Sequence, residues 1–469
     1  MKKEKEYVEE ELLQKYLKTS PFNSVGGDFK FTACVGENGG YDQTTIYNGF
    51  VDTVNTLIES IRENKNFSDP MVYPILFCLR HSIELFLKKL YAHLEYIQCL
   101  RNAPSDFNKL LKAQMIYSRL KYLQEECDSK IEYATFNEIE TSEIQKYGSR
   151  KTILQKRLNK LEQFIIILNK RLFEKIGADE YTHDLNGLIC KVLGVYQIDE
   201  RITVLFDTVL PLLNYYKDID PKGDAFRYWF DKEGNAHFET KSIGSVRLDI
   251  IAIQFEQITS YFEKIELVMW CILKEYKTGT FTKELSRFQI EEISKLLPKQ
   301  NEFSEKIKEI KEEIKQKYKI GSNKFNSILN LIRNHREFSA NMGVEKPFLY
   351  LSDNAINIFA KCSLGLDDWE SSSRLITSDE LNLFITFSDI YGWRYSEKNY
   401  AYFSENLDWL FAYNKRERNL SCFDIVPKAE INYVVNGMDK CGQITYINKL
   451  KQYLEEYKLM SANKCSNGD

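Results

Sequence analysis

Six apolar residues in one segment of the chain are spaced alternately four and three positions apart, which constrains the fold more than any other feature of the sequence. They are Leu154, Leu158, Leu161, Ile165, Leu168 and Leu172. Such a heptad seam specifies an α-helix that packs along its length against a second helix. An earlier segment with Ile116, Leu120 and Leu123 is a candidate antiparallel partner. Because this partner lies in the same chain and the seam is short, we expect a helical hairpin inserted at about residues 101–180 rather than a dimeric zipper.

Helical periodicity also dominates the rest of the chain. Apolar residues recur at helical spacing after Asp42, around Arg80 to Tyr96 and from Val246 to Tyr276. Ser286 with Gln289 and Thr377 with Glu380 have the spacing of capping boxes at helix starts. The predicted fold class is therefore all-α.

One segment departs from this pattern. Between Ala225 and Thr240, Phe226, Tyr228 and Phe230 alternate with Arg227 and Trp229, and Lys232–Asn235 has the composition of a turn. We predict a small β-hairpin here.

At 469 residues the chain is too long for one ordinary core. We expect a helical domain over residues 1–217 that carries the inserted hairpin, a β-hairpin with a long helix over 218–280, and a C-terminal helical domain over 281–469.

Charge and cysteine content limit the classes of function. The net charge of -4, from 64 basic and 68 acidic residues, excludes a globally basic protein that coats nucleic acid, so any such site must be local. The ten cysteines show no paired spacing typical of zinc or disulfides. We expect reduced cytosolic thiols, no metal and no cofactor.

The sequence also favours a soluble, cytoplasmic protein. Its N-terminal residues are charged throughout and lack the apolar stretch of a signal peptide. The most apolar window, residues 71–94, contains Arg80, His81, Glu84, Lys88 and Lys89, which are costly at mid-bilayer. We predict no membrane span.

The polar residues inside that apolar helix are the principal candidate site. Arg80, Glu84 and Lys88 follow one another at four-residue intervals on one face, and His81 lies beside them. Buried charges need partners, so these groups are expected to pair with one another and with a second element. The segment beginning Thr182, His183 and Asp184 is the natural candidate, with Thr182 as helix cap.

This combination resembles the HEPN group of small helical domains found in bacterial toxin, defence and RNA-processing proteins. The matching positions are Glu84, Lys88, Thr182, His183, Asp184 and Leu185. The resemblance implies binding of RNA and a role in antiphage defence or stress, with Arg80, His81 and His183 as candidate catalytic residues and Glu84 and Asp184 as a structural network. Members that cleave RNA carry Arg, four to six residues, then His, whereas Arg80 and His81 are adjacent here. RNA cleavage therefore stays open, and a purely structural role for the whole network is the alternative.

Further nucleic-acid contacts are expected at Lys88, at Arg227 with Tyr228, and at Arg333, His335 and Arg336. An exposed Arg227 and Tyr228 would form a platform that stacks bases, although an ordinary packed hairpin is the alternative. Residues 286–342 contain a lysine-rich helix pair joined at Ile320–Ser322 that resembles a helix-turn-helix reader, although its interleaved glutamates are typical of a solvated helix.

Three functions follow from these patterns. RNA binding is the first, and a noncatalytic scaffold or sensor subunit that binds a protein partner or a second copy of the chain is the alternative. The third is a DNA-binding regulator that uses residues 286–342.

Overall fold

The computed structural model describes residues 43–137, 141–174, 183–220, 242–348, 351–391, 407–417 and 421–466, with residues 30, 32–35, 222–228, 230, 234 and 237. The described residues form an all-α fold and contain no strand. The chain divides into two compact units, residues 1–85 and 86–469. The predicted domain boundaries near 217 and 280 remain predictions.

The first unit contains helix α1, Gln43–Arg62, and the N-terminal part of helix α2, Ser68–Asn102. Val54 of α1 and Leu79 of α2 are fully buried, and Phe50 packs edge-on against Phe77 with ring centroids 6.4 Å apart. Within the described residues, α2 is the one helix long and apolar enough to cross a membrane, and more than half of its most apolar window is buried inside the protein. A core helix of a folded domain has the same character.

The second unit contains the predicted helical hairpin. Helix α3, Pro104–Phe136, and helix α4, Thr141–Phe173, run antiparallel, as contacts between Gln124 and Gln155 and between Asp106 and Arg171 show. The α4 seam is buried at Leu154, Leu158, Leu168 and Leu172, which confirms its role. The base of the hairpin packs on the rest of the unit through Phe107 on Phe281 and through Phe173 on Tyr96.

One of the three predicted partner residues on α3 is wrong. Ile116 is 51% exposed, whereas Leu120 and Leu123 are half-buried and Ala113, Cys127 and Ala134 are buried. The seam on α3 uses small residues that a search for large apolar side chains overlooks, because two helices approach more closely where the side chains are small.

The described residues after the hairpin include the helices α5, Leu185–Val195, α6, Glu200–Ile219, and α7, Leu248–Tyr276. Helices α6 and α7 pack together. The α7 face with Phe255, Ile258 and Ile265 is buried, and Phe262 stacks on Phe86 of α2 with ring centroids 3.6 Å apart.

The C-terminal part of the second unit has two hydrophobic clusters. The first is formed by α8, Arg287–Leu296, α9, Phe303–Tyr318, α10, Ser322–Asn334, and α11, Arg336–Asn341. The second involves α12, Asp353–Ser363, α13, Trp369–Ser372, α14, Ser378–Tyr391, α15, Leu407–Glu417, α16, Pro427–Lys440, and α17, Ile444–Ser466. Both predicted capping boxes are present at Ser286–Gln289 and Thr377–Glu380.

The predicted β-hairpin at Ala225–Thr240 is not seen. The Tyr228 N–H donates to the carbonyl oxygen of Asp224 over 3.0 Å, so residues 224–228 form a turn. Asp220 organises this turn, because its Oδ1 accepts from the N–H groups of Gly223, Asp224 and Ala225 at 2.9, 3.0 and 3.3 Å. Residues 229, 231–233, 235, 236 and 238–240 of the segment lie outside the described residues.

Candidate functional site

Arg80 and Glu84 form a buried ion pair on α2. Arg80 Nη1 donates to Glu84 Oε2 over 2.7 Å, and the two side chains are only 4% and 1% exposed. Their four-residue spacing places them on one helix face, where hydrogen bonding offsets the cost of burial. The Arg80 guanidinium therefore has almost no surface for a ligand, and its predicted catalytic role is not favoured by this burial.

His81 lies at the edge of the same group. Its side chain is 26% exposed, and its Nδ1 is 3.8 Å from Glu84 Oε2. The imidazole stacks on Phe77 with ring centroids 5.8 Å apart and meets Phe50 edge-on at 4.6 Å. Aromatic packing fixes the ring orientation while part of the ring remains accessible, so His81 can contact a ligand that Arg80 cannot.

His183 and Asp184 stand at the start of α5. His183 is exposed, and Asp184 is the helix cap, because its Oδ1 accepts from the Asn186 N–H over 3.1 Å. Gly187 leaves room for this carboxylate, since a Cβ there would be 3.1 Å from Asp184 Oδ2. The predicted cap, Thr182, lies outside the described residues, and Asp184 holds the capping position instead.

The predicted site residues are divided between the two units. Arg80, His81 and Glu84 belong to the first unit, whereas Lys88, His183 and Asp184 belong to the second. Lys88 is half-buried on α2. The convergence of Arg80, His81 and His183 around one opening remains a prediction.

Arg227 and Tyr228 lie next to each other on the turn that Asp220 organises. Arg227 donates from Nε to the Gly223 carbonyl oxygen over 2.5 Å, and its guanidinium is 5.6 Å from the Tyr228 ring centre. Tyr228 is 60% exposed. An exposed ring beside a positioned guanidinium has the chemistry of a base-stacking surface, and RNA contact by the pair remains a prediction.

His335 and Arg336 are held by structural contacts. His335 caps α11, where its Nδ1 accepts from the Phe338 N–H over 3.2 Å, and its ring stacks on Phe338 at 3.8 Å. Arg336 is half-buried, with its guanidinium 5.0 Å from the centre of the Phe348 ring. These contacts give both residues a role in the fold, although the buried Nε of Arg336 has no hydrogen-bond partner among the described residues.

Arg333 is the exposed member of the proposed nucleic-acid face around α9 and α10. Its guanidinium lies 4.8 Å from the ring centre of Phe303. Lys324, which a DNA-reading helix would present, forms an ion pair with Glu284. This region therefore offers fewer available cations than its composition suggests.

The sequence analysis missed a buried ionic cluster between α8, α11 and α16. Arg287 is 2% exposed and reaches Glu291 at 3.3 Å and Glu337 at 2.5 Å, while Lys440 lies 3.5 Å from Glu337. Burial raises the pKa of Glu337. Burial also acts to raise the pKa of Glu291, but its hydrogen bond from Lys295 and the nearby cations outweigh this and lower it.

A second missed group joins α6 to α7 and α8. Arg201 contacts Asp199 through Nε at 2.9 Å and binds Glu275 through Nη1 and Nη2, both at 2.8 Å. Its guanidinium also lies 4.7 Å from the Phe288 ring centre. Both groups join residues far apart in sequence. Their local pairs, such as Arg287 with Glu291 and Lys295 with Glu291, have the four-residue spacing that a sequence search can detect.

Among the described residues, no group of three His, Cys, Asp or Glu side chains is arranged to hold a metal ion. Comparison with protein-family models, with curated proteins and with solved structures finds no match.

Proposed function

We propose that this chain is a cytoplasmic HEPN-like protein of a bacterial defence or stress system that binds RNA, with His81 as its central contact. The observation that carries the proposal is the accessible, ring-supported imidazole of His81 beside the buried Arg80–Glu84 pair. The resemblance at Glu84, Lys88 and the segment from His183 to Leu185 supports the same class.

Binding is better supported than cleavage. An imidazole can donate to phosphate or 2′-hydroxyl oxygens and can stack on an unpaired base. Cleavage by the family chemistry also needs an arginine that contacts the phosphate. Arg80 is buried and forms an ion pair with Glu84 instead. His81 is therefore expected to hold RNA without acting with Arg80 as a catalytic pair.

The test compares His81→Ala and His183→Ala with His93→Ala, a control histidine on α2. Binding of a labelled single-stranded RNA of about 20 nucleotides, cleavage of the same RNA and melting temperature are measured on each protein. We expect His81→Ala to weaken binding at least about tenfold, equivalent to about 1.4 kcal/mol, with little change in melting temperature. Unchanged RNA binding in both His81→Ala and His183→Ala would contradict the proposal, and parallel losses of binding and stability would assign His81 a structural role.

A noncatalytic scaffold or sensor is the second candidate function. The helical hairpin favours it, because several large apolar side chains of α3 and α4 are exposed, including Met115, Ile116, Phe164 and Ile167. The DNA-regulator function has less support, because His335 and Arg336 serve the fold and Lys324 is paired.

A further inference from the structure

Helix α4 carries a second heptad stripe beside its inward seam, rotated from it by about 100°, because each member from Ile153 onward directly precedes a seam residue. Its members are Lys146, Arg150, Ile153, Arg157, Lys160 and Phe164, continued by Ile167 and Arg171, again spaced alternately four and three residues apart. All of them are exposed, with Ile153 at 55%, Phe164 at 43% and Ile167 at 56%. The stripe is about 37 Å long at 1.5 Å per residue. The inward seam explains only one face of α4, so this outward pattern needs a separate explanation.

Helix α3 continues this surface across the groove between the two helices. Ile116 lies level with Phe164 in the antiparallel register, and Lys112 and Arg119 flank Ile116 at helical spacing. The pKa of Glu126 on α3 is lowered by its hydrogen bond from Lys130 and further by the charge of Arg150. Arg171 of the α4 stripe also reaches this edge of α3, because its Nη1 is 3.4 Å from Asp106 Oδ2. The two stripes therefore form one surface, which we name the basic side of the hairpin.

Most cations on the basic side are not neutralised by the protein itself, although Arg171 pairs with Asp106 at 3.4 Å. Helix α4 has eight basic and two acidic residues, although the whole chain is slightly acidic. In the described part of the chain, Lys112, Arg119, Lys146, Arg150, Arg157 and Lys160 form no ion pair. The opposite side of the hairpin differs, because Lys151 pairs there with Asp128 at 2.5 Å and Glu162 adds a further acidic group. The positive charge is therefore concentrated on one side.

We infer that the basic side of the hairpin is a docking surface for an acidic amphipathic helix of a partner protein. Heptad-spaced stripes on either side of a groove match the periodicity of a third helix in a coiled coil. Ile116, Ile153 and Phe164 supply apolar contacts, and the surrounding cations select glutamate and aspartate at the flanking positions of the partner. This inference goes beyond RNA binding and does not depend on His81.

Other occupants fit these observations less well. Nucleic acid would neutralise the cations but leave the aliphatic side chains of Ile116, Ile153 and Ile167 without apolar contact. A second copy of the chain docked through the same side would oppose cations with cations. An anionic membrane would satisfy the charge, but it does not require matched stripes on two helices.

The test uses the full chain and a synthetic acidic peptide of about four heptads, with Leu at the a and d positions and Glu at the flanking positions. A scrambled peptide of the same composition, an RNA duplex of about 20 base pairs and vesicles containing anionic lipid are compared under identical salt. We expect the heptad peptide to bind at least tenfold more tightly than the scrambled peptide. Equal affinity for both peptides, or the absence of binding, would overturn the inference.

Charge reversal locates the surface. The variant Arg150→Glu/Arg157→Glu should lose at least tenfold in affinity for the acidic peptide and gain affinity for a peptide with Lys at the flanking positions. The matched control is Lys121→Glu, an exposed position on the opposite side of α3, which should bind as the unmodified chain does. Circular dichroism checks that both variants keep their helices. Tighter binding of RNA or vesicles than of the heptad peptide, with the same sensitivity to the reversal, would assign the surface to those partners instead.

Discussion

Arg80 and Glu84 are joined by an ion pair of 2.7 Å whose two side chains are 4% and 1% exposed. Removing one partner deprives the other of this charge-assisted hydrogen bond at a buried position, and breaking a buried ion pair in this way costs about 3 to 5 kcal/mol. We therefore expect Arg80→Met to lower the free energy of unfolding by about this amount, measured by urea denaturation.

The double variant Arg80→Met/Glu84→Leu is the matched control for this pair. Replacing both partners by apolar side chains leaves neither charge of this ion pair at the buried position, so the double variant should be less destabilised than the sum of the single variants. Additive losses would show that the pair contributes nothing through its interaction. His81→Ala should cost less than Arg80→Met, because His81 is partly exposed.

Glu337 should make stability depend on pH. Its folded-state pKa is raised above the ordinary value of 4.5 by burial, so the folded protein holds a proton that the unfolded chain has released. The contribution of Glu337 to the free energy of unfolding therefore falls as pH rises above about 4.5 towards the raised pKa. The measurement is the difference in unfolding free energy between the unmodified chain and Glu337→Gln at several pH values from 4 to 8.

Glu291 provides the contrast of opposite sign. Its pKa is lowered, so its stabilising contribution should be lost as pH falls below the ordinary value of 4.5. The free energy of unfolding of Glu291→Gln should therefore decrease less than that of the unmodified chain as pH falls below about 4.5. A Glu337→Gln curve parallel to that of the unmodified chain would show that Glu337 does not titrate differently in the two states.

Local sequence patterns predicted where the helices lie, but they did not predict which helices contact each other. The seam from Leu154 to Leu172 and the cap of Ser286 by Gln289 depend on residues close in sequence, and both are confirmed. The pairing of Arg287 with Glu337 joins residues fifty positions apart, and no local pattern specifies it. The exposure of His81 likewise depends on how Phe50 of another helix packs. The excess of basic residues on α4 can be counted in the sequence, so the positive charge of the hairpin could have been predicted from the sequence alone.

Helices α14 and α16 approach closely at Gly437. A Cβ at this position would lie 1.9 Å from the Phe387 carbonyl oxygen, so the backbones must separate to admit it. We expect Gly437→Ala to destabilise the protein by about 1 to 3 kcal/mol or more, measured by thermal melting. Gly148→Ala on α4 is the control, because a Cβ there meets nothing within 4 Å and should stabilise the helix by roughly 0.5 to 1 kcal/mol. Similar melting temperatures for the two variants would contradict the close approach.

Asp220 should control the turn that presents Arg227 and Tyr228. Its Oδ1 accepts from the N–H groups of Gly223, Asp224 and Ala225, so Asp220→Ala removes one acceptor from three backbone donors. We expect a loss of about 1 to 3 kcal/mol and faster hydrogen exchange at those three amides. Asp220→Asn is the matched control, because its side-chain oxygen can still accept, and exchange there should stay closer to that of the unmodified chain. Unchanged amide exchange in Asp220→Ala would show that the turn forms without this carboxylate, and the placement of Arg227 beside Tyr228 would then depend on other contacts.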